Sequence, residues 1–207
     1  MKKNLLKRSV PGFSLIEMSI VLVIIGIITG AIFKGQELLD SAKVRSVAQD
    51  FQQYSLAVSS YQEMYHALPG DDSKASIHFS GTTSGDGNGQ ITGTEADLFW
   101  QHLHKASIVS SNKSPTSKFG GQYVIVFQPF PEMSGHWLML AKEGEAGLLT
   151  PKQALSLKHK IDQEDITNPN QGQLVIKDGA GASGRCVRNG HINLENKSPD
   201  CRVYYRF

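Results

Sequence analysis

Glu17 is the most chemically informative residue of the sequence, because it interrupts an apolar run that extends from Phe13 to Phe33. An ionisable side chain within a membrane-length segment costs a few kcal/mol, so it marks a functional hypothesis that requires a named partner. The Gly12-Phe13 bond follows Pro11 and lies where the apolar run begins. Cleavage there removes the basic leader and creates an α-amine on Phe13, about one helical turn from Glu17. A positive amine and a negative carboxylate neutralise one another, within one chain or between neighbours. The plainer alternative is a helix-end carboxylate snorkelling to the membrane interface.

Other residues invite metal, redox or acid-base chemistry. Asp86-Gly87-Asn88-Gly89, with Glu95 and Asp97 nearby, supplies hard oxygen ligands on a flexible, glycine-rich loop of the kind Ca²⁺ takes. The EF-hand spacing is not met: counted from Asp86, Glu95 stands about tenth rather than twelfth, and Gln90-Ile91 occupies the places of a ligand and the glycine. The bland alternative is a solvated turn, since Gly, Asn and Asp favour turns anyway. Cys186 and Cys201 suit one disulfide in an oxidising compartment, or two buried thiols in the cytosol. A bridge would close a loop of roughly 15 residues and stabilise by about 3 kcal/mol in the chain-entropy model. His102 and His104 lie two apart on an expected helix and face different ways, so they cannot chelate as an i, i+4 pair would. H-E-x-x-H, C-x-x-C, Walker and G-x-S-x-G patterns do not occur, and a non-enzymatic protein is expected. Trp100, Trp137 and Tyr204-Tyr205 read as core or sheet residues.

The elements that must position these groups begin with the N-terminus. A helix from Phe13 to Phe33 spans about 31 Å, which matches a hydrocarbon core of about 30 Å. A conventional signal peptide requires small residues after the apolar run, and Thr29-Gly30-Ala31 offers a poor version of that site. Lys2, Lys3, Lys7 and Arg8 precede the run and no basic residue follows until Lys34, so the leader end is expected in the cytoplasm and the body outside. These four cations also explain the formal charge of +2: from Phe13 onward 17 basic residues face 19 acidic ones. That near-neutral body lacks the basic footprint of a nucleic-acid binder.

Gly12-Phe13-Ser14-Leu15-Ile16-Glu17, behind a short basic leader and ahead of an unbroken apolar helix, resembles the type IV prepilin signal, shared by type IV pilins and the pseudopilins of type II secretion. The resemblance implies cleavage after Gly12 by a prepilin peptidase and N-methylation of Phe13. It implies that Glu17 helps the subunit leave the bacterial inner membrane through an assembly platform and join other pilin or pseudopilin subunits. Its charge would be matched by the N-terminus of a neighbour. The body would lie in the periplasm before assembly. Many major pilins and pseudopilins carry a proline about 22 residues into the mature chain, where this sequence has Lys34. That departure favours a minor or accessory subunit. Some pseudopilins also hold a calcium-stabilised loop, which bears on Asp86, Asn88, Glu95 and Asp97.

Beyond Phe33 the helical period persists. Val44, Val47, Phe51, Tyr54, Val58, Tyr61, Tyr65 and Leu68 form one apolar stripe, and Leu68-Pro69-Gly70 is expected to end the helix near His66. Such a stripe packs on a sheet of the same chain more often than in a coiled coil. Residues 68–93 read as a long polar loop, and Thr94 precedes a helix with Leu98, Phe99, Leu103 and Ala106 on its apolar side and Asp97 as an imperfect capping box. Thr150-Pro151-Lys152-Gln153 starts another helix, running to about Ile161. Strands are expected over Gln122 to Phe127, Trp137 to Ala141, Gln173 to Lys177 and Arg202 to Phe207, with mostly loop between the cysteines. The fold class is therefore α+β: a leader over 1–12, the membrane half of a long helix over 13–33, its amphipathic half over 34–68, and a head over 69–207 with an antiparallel sheet. Pilins share this layout, and "YQEMYHALPGDD" followed by "DGNGQITGTEADLFWQHL" is similar to bacterial pilin-like proteins with this signal. A filament subunit is the leading expectation. A permanently anchored periplasmic module that binds Ca²⁺ or glycan through Gly85 to Asp97 is its rival.

Overall fold

The computed structural model describes residues 12–162 and 168–207; the basic leader with Lys2, Lys3, Lys7 and Arg8 lies outside the described residues. The chain divides into two units, Met1–Asp40 and Ser41–Phe207. Helix α1 runs over Leu15–Tyr65, its residues up to Asp40 in the first unit and those from Ser41 in the second.

In the first unit the helix is long and apolar enough to cross a membrane. Residues 12–34 are all exposed, including Leu22 at 70% and Phe33 at 68%. Hydroxyls within this stretch turn back on the helix itself. Ser19 Oγ donates to Ile16 O and Thr29 Oγ1 to Ile25 O, each at 2.8 Å, which leaves the apolar surface free of unsatisfied donors at those positions.

The second unit is an α+β head. Strands β1 (Gln122–Phe127), β2 (His136–Ala141), β3 (Leu174–Asp178) and β6 (Cys201–Arg206) form an antiparallel sheet in the order β1-β2-β6-β3. The expected strands are present within a residue or so of their bounds. Strands β4 (Val187–Arg188) and β5 (His191–Ile192) form a short hairpin between the cysteines, a region expected to be loop. Sheet residues alternate between faces. Tyr123, Ile125, Leu138, Leu140, Leu174, Ile176, Val203 and Tyr205 join Val44, Val47, Phe51, Val58 and Tyr61 of α1 in the main core. Val124, Trp137, Met139, Val175 and Tyr204 turn to the other face, where Phe130 and Met133 cover them. Phe51 is fully buried, stacked on Tyr205 at 4.9 Å and edge-on to Tyr123 at 5.4 Å. The apolar stripe therefore packs on the sheet of its own chain.

Helix α1 ends a few residues before Pro69. His66 adopts the left-handed conformation (φ 54°) and its N–H donates to Gln62 O, a helix-ending geometry that frees Leu68 for the extended state proline demands. Helix α2 (Ala75–His78) is a short turn inside the region expected as plain loop, and α3 (Thr94–Lys105) follows it. Gly93, not Thr94, holds the cap position of α3, without a side-chain hydrogen bond, so the Asp97 capping box does not form. In α4 (Pro151–Ile161) the expected capping box is complete, with Thr150 and Gln153 serving each other's backbone N–H. Lys158 at its end is fully buried; its ammonium meets Asp162 and Leu174 O at 2.8 Å each, and also Gln171 O.

Candidate functional site: a capped apolar helix and an acidic loop

The N-terminal site lies in the first unit. Gly12, Phe13 and Ser14 precede the helix in non-helical, exposed backbone, with Phe13 at 79% exposure. The Gly12-Phe13 bond is thus open to approach and is not protected by helical hydrogen bonds. Glu17 stands in the first turn of α1, and its Oε2 accepts the Ser14 N–H at 2.8 Å while Ser14 Oγ accepts from Ile16 N at 3.4 Å. This is a variant of the capping box, Ser-x-x-Glu, in which a carboxylate at the third helical position closes on the cap residue's backbone. Its negative charge also faces the positive end of the helix dipole. Sequence reasoning assigned Glu17 an ionic partner and passed over this hydrogen-bonded one, although Ser14-Leu15-Ile16-Glu17 displays the spacing.

The second site is in the head. Asp71 is buried at the turn after Pro69, and the loop 86–89 wraps its carboxylate. Oδ1 accepts Gly87 N at 2.8 Å and Asn88 N at 3.0 Å, and Oδ2 accepts Gly89 N at 2.8 Å. Glu95, also buried, accepts Asp86 N at 2.9 Å through Oε1 and Thr92 N at 3.2 Å through Oε2. Asp86 caps Asn88 twice, through its backbone N–H and its side-chain amide. The loop can approach this closely because Gly85 carries no side chain; a Cβ there would lie 2.4 Å from Gly70 O. One carboxylate oxygen from each of Asp71, Asp86 and Glu95 falls within 4.8 Å of the others. Burial pushes the Asp71 carboxyl up, the nearby Glu95 and Asp86 add to the push, and the Gly87 and Gly89 N–H groups oppose it.

Of the four residues named for calcium, the fold brings Asp86 and Glu95 together. Asn88 spends its side chain on Asp86 and on Gln90 N, and Asp97 is exposed on α3 outside the cluster. Asp71 takes the missing place. It lies 15 positions before Asp86, so no local spacing pointed to it. Asp72 is buried as well, and accepts Tyr61 Oη at 2.9 Å and Lys74 N at 2.8 Å. His102 is fully buried and His104 exposed, so the two do face apart. Cys186 and Cys201 form a disulfide, both fully buried.

Residues 7–33 match the family model described as the prokaryotic N-terminal methylation motif. The apolar membrane-length helix and the α+β head with its disulfide accompany a motif that is type IV pilin-like over those residues. It implies processing by a prepilin peptidase and assembly with other pilin subunits. Among solved structures, the chain is similar to the major type IV pilin PilA1 from Clostridium difficile at 17% identity and a TM-score of 0.41, over 81% of this chain and 95% of that one. A search of curated proteins finds no match.

Proposed function

We propose that the protein is a structural, non-enzymatic subunit of a type IV pilus or pseudopilus. It is inserted in the bacterial inner membrane with the leader cytoplasmic and the head periplasmic. A prepilin peptidase cuts it after Gly12 and methylates Phe13, and an assembly platform then extracts it into a filament. Lys34 in place of the helix proline supports a minor or accessory role. One observation carries the reading: the methylation motif over 7–33 runs into a helix whose apolar residues are exposed among the described residues. Intact mass and N-terminal sequencing of the protein from its native membrane test it. The expected chain begins at methylated Phe13; one beginning at Met1, or beyond Ala31, contradicts the processing step. Replacing Glu17 by Ala is expected to reduce incorporation into filaments at least about tenfold, the factor for roughly 1.4 kcal/mol of lost pairing.

The rival reading, a permanently anchored module that holds Ca²⁺, is supported by the convergence of Asp71, Asp86 and Glu95, each offering one carboxylate oxygen within 4.8 Å of the others. Persistent membrane residence without filament incorporation favours the anchored module, and melting the full-length protein in detergent with and without Ca²⁺ tests its metal site. A rise in Tm that Asp86→Asn abolishes supports the metal, and an unchanged Tm removes it.

A further inference from the structure

Gly70 and Ile91 bracket the loop that carries Asp71 and Asp86, and the backbone N–H of each donates to an imidazole. Gly70 N–H meets His102 Nδ1 at 2.9 Å, and Ile91 N–H meets His136 Nε2 at 3.1 Å. An amide N–H can only donate, so each accepting ring nitrogen must hold a lone pair. His102 is specified twice: its Nε2 lies 2.9 Å from Thr83 O, which can only accept, so that nitrogen carries the single ring proton. Two histidines from α3 and β2 thus fasten the loop at residues 70, 83 and 91, and both must be neutral to do so.

We propose that His102 and His136 form a pH-sensitive latch on the segment 70–91, closed while both rings are neutral and released when they are protonated. Protonation turns each accepting nitrogen into a second N–H that faces an amide N–H, so the bond is lost and a charge is left in the interior. Burial holds the fully enclosed His102 below the usual imidazole range; the Thr83 carbonyl and the charges of Asp72 and Glu95 pull the other way without prevailing. Tyr61 of α1 stacks on His102 at 6.2 Å between centroids. His136 is also lowered by burial, and faces the rings of Phe127 at 5.0 Å and Phe207 at 6.4 Å, neither of which ionises.

The sign follows from linkage. A histidine held below its open-loop value near 6.5 supports closure fully above about pH 6.5, and that support fades as pH falls below it. Asp71 acts oppositely in a lower window. Its raised value means the closed loop binds a proton more readily than the open one, which favours closure as pH falls towards the carboxylate range. Opening is therefore expected on the histidine side, between neutral and mildly acidic pH. The latch belongs to the head alone and is independent of filament membership.

Hydrogen exchange of the full-length protein in detergent micelles tests it, with rates corrected for the intrinsic pH dependence of exchange. Peptides covering 70–91 are expected to lose protection about tenfold between about pH 7.5 and pH 5, while peptides of β2 and β6 hold theirs within about twofold. Gln at both positions (H102Q with H136Q) can accept the same amide bonds without titrating, and is expected to flatten the loop's response to within about twofold. Constant protection in the unaltered protein, or an equal loss in the double variant, overturns the proposal. Should H102Q fail to fold, His136→Gln alone still decides: the response at the Ile91 end must shrink while that at Gly70 stays, and an undiminished response at Ile91 refutes the latch.

Discussion

The two units handle the same kind of side chain in opposite ways. Between Leu15 and Phe33 the leucines, isoleucines and valines of α1 stand about half exposed or more, whereas Val44, Val47, Phe51, Val58 and Tyr61 of the same helix are shut against a sheet. A helix that is apolar all round requires a surrounding of another substance, and one that is apolar along a stripe requires only a neighbouring layer. The boundary between them marks where the helix stops being exposed and begins to be covered by the head's own sheet.

That contrast breaks down if equivalent truncations cost the same in both units. Phe51→Ala is expected to lower the stability of the head by about 4 kcal/mol, read from urea denaturation in detergent, because it empties a site ringed by Tyr123 and Tyr205. Ile24→Ala, at 50% exposure in the first unit, is the matched control and should move the same transition by less than about 0.5 kcal/mol. Joining residues 15 apart, the Cys186–Cys201 bridge should contribute about 3 kcal/mol. Its double replacement by Ser checks this, and an unchanged midpoint would mean that the hairpin between the cysteines holds itself. A smaller effect, about 1 kcal/mol, is expected for Thr150→Ala, which removes one half of the capping box at α4.

What the sequence made legible follows the same division. Gly12, Phe13 and Glu17 announce themselves through a local pattern, as do the stripe on α1, the Thr150 cap and the strands, because each depends on residues within a few positions of one another. The head's acidic loop does not. Asp71 joins Asp86 and Glu95 only after the chain has turned at His66 and Gly70 and returned along α3, and Asp97, which looked equivalent on paper, ends on the exposed side of that helix. His102 was judged only as half of a chelating pair, and its real partners, Gly70 and Thr83, lie 32 and 19 positions away. Glu17 shows the converse: a conspicuous charge drew attention from the plain hydrogen bond it makes three residues back.

The strand order β1-β2-β6-β3 has a consequence for biogenesis. The middle of the sheet belongs to the strand made after its three companions, so β2 and β3 each wait with an open edge until residues 201–206 arrive to bridge them. Until then the nascent head holds two unjoined halves prone to pairing with strangers, and closure of the sheet and oxidation of Cys201 fall due at the same late moment of synthesis.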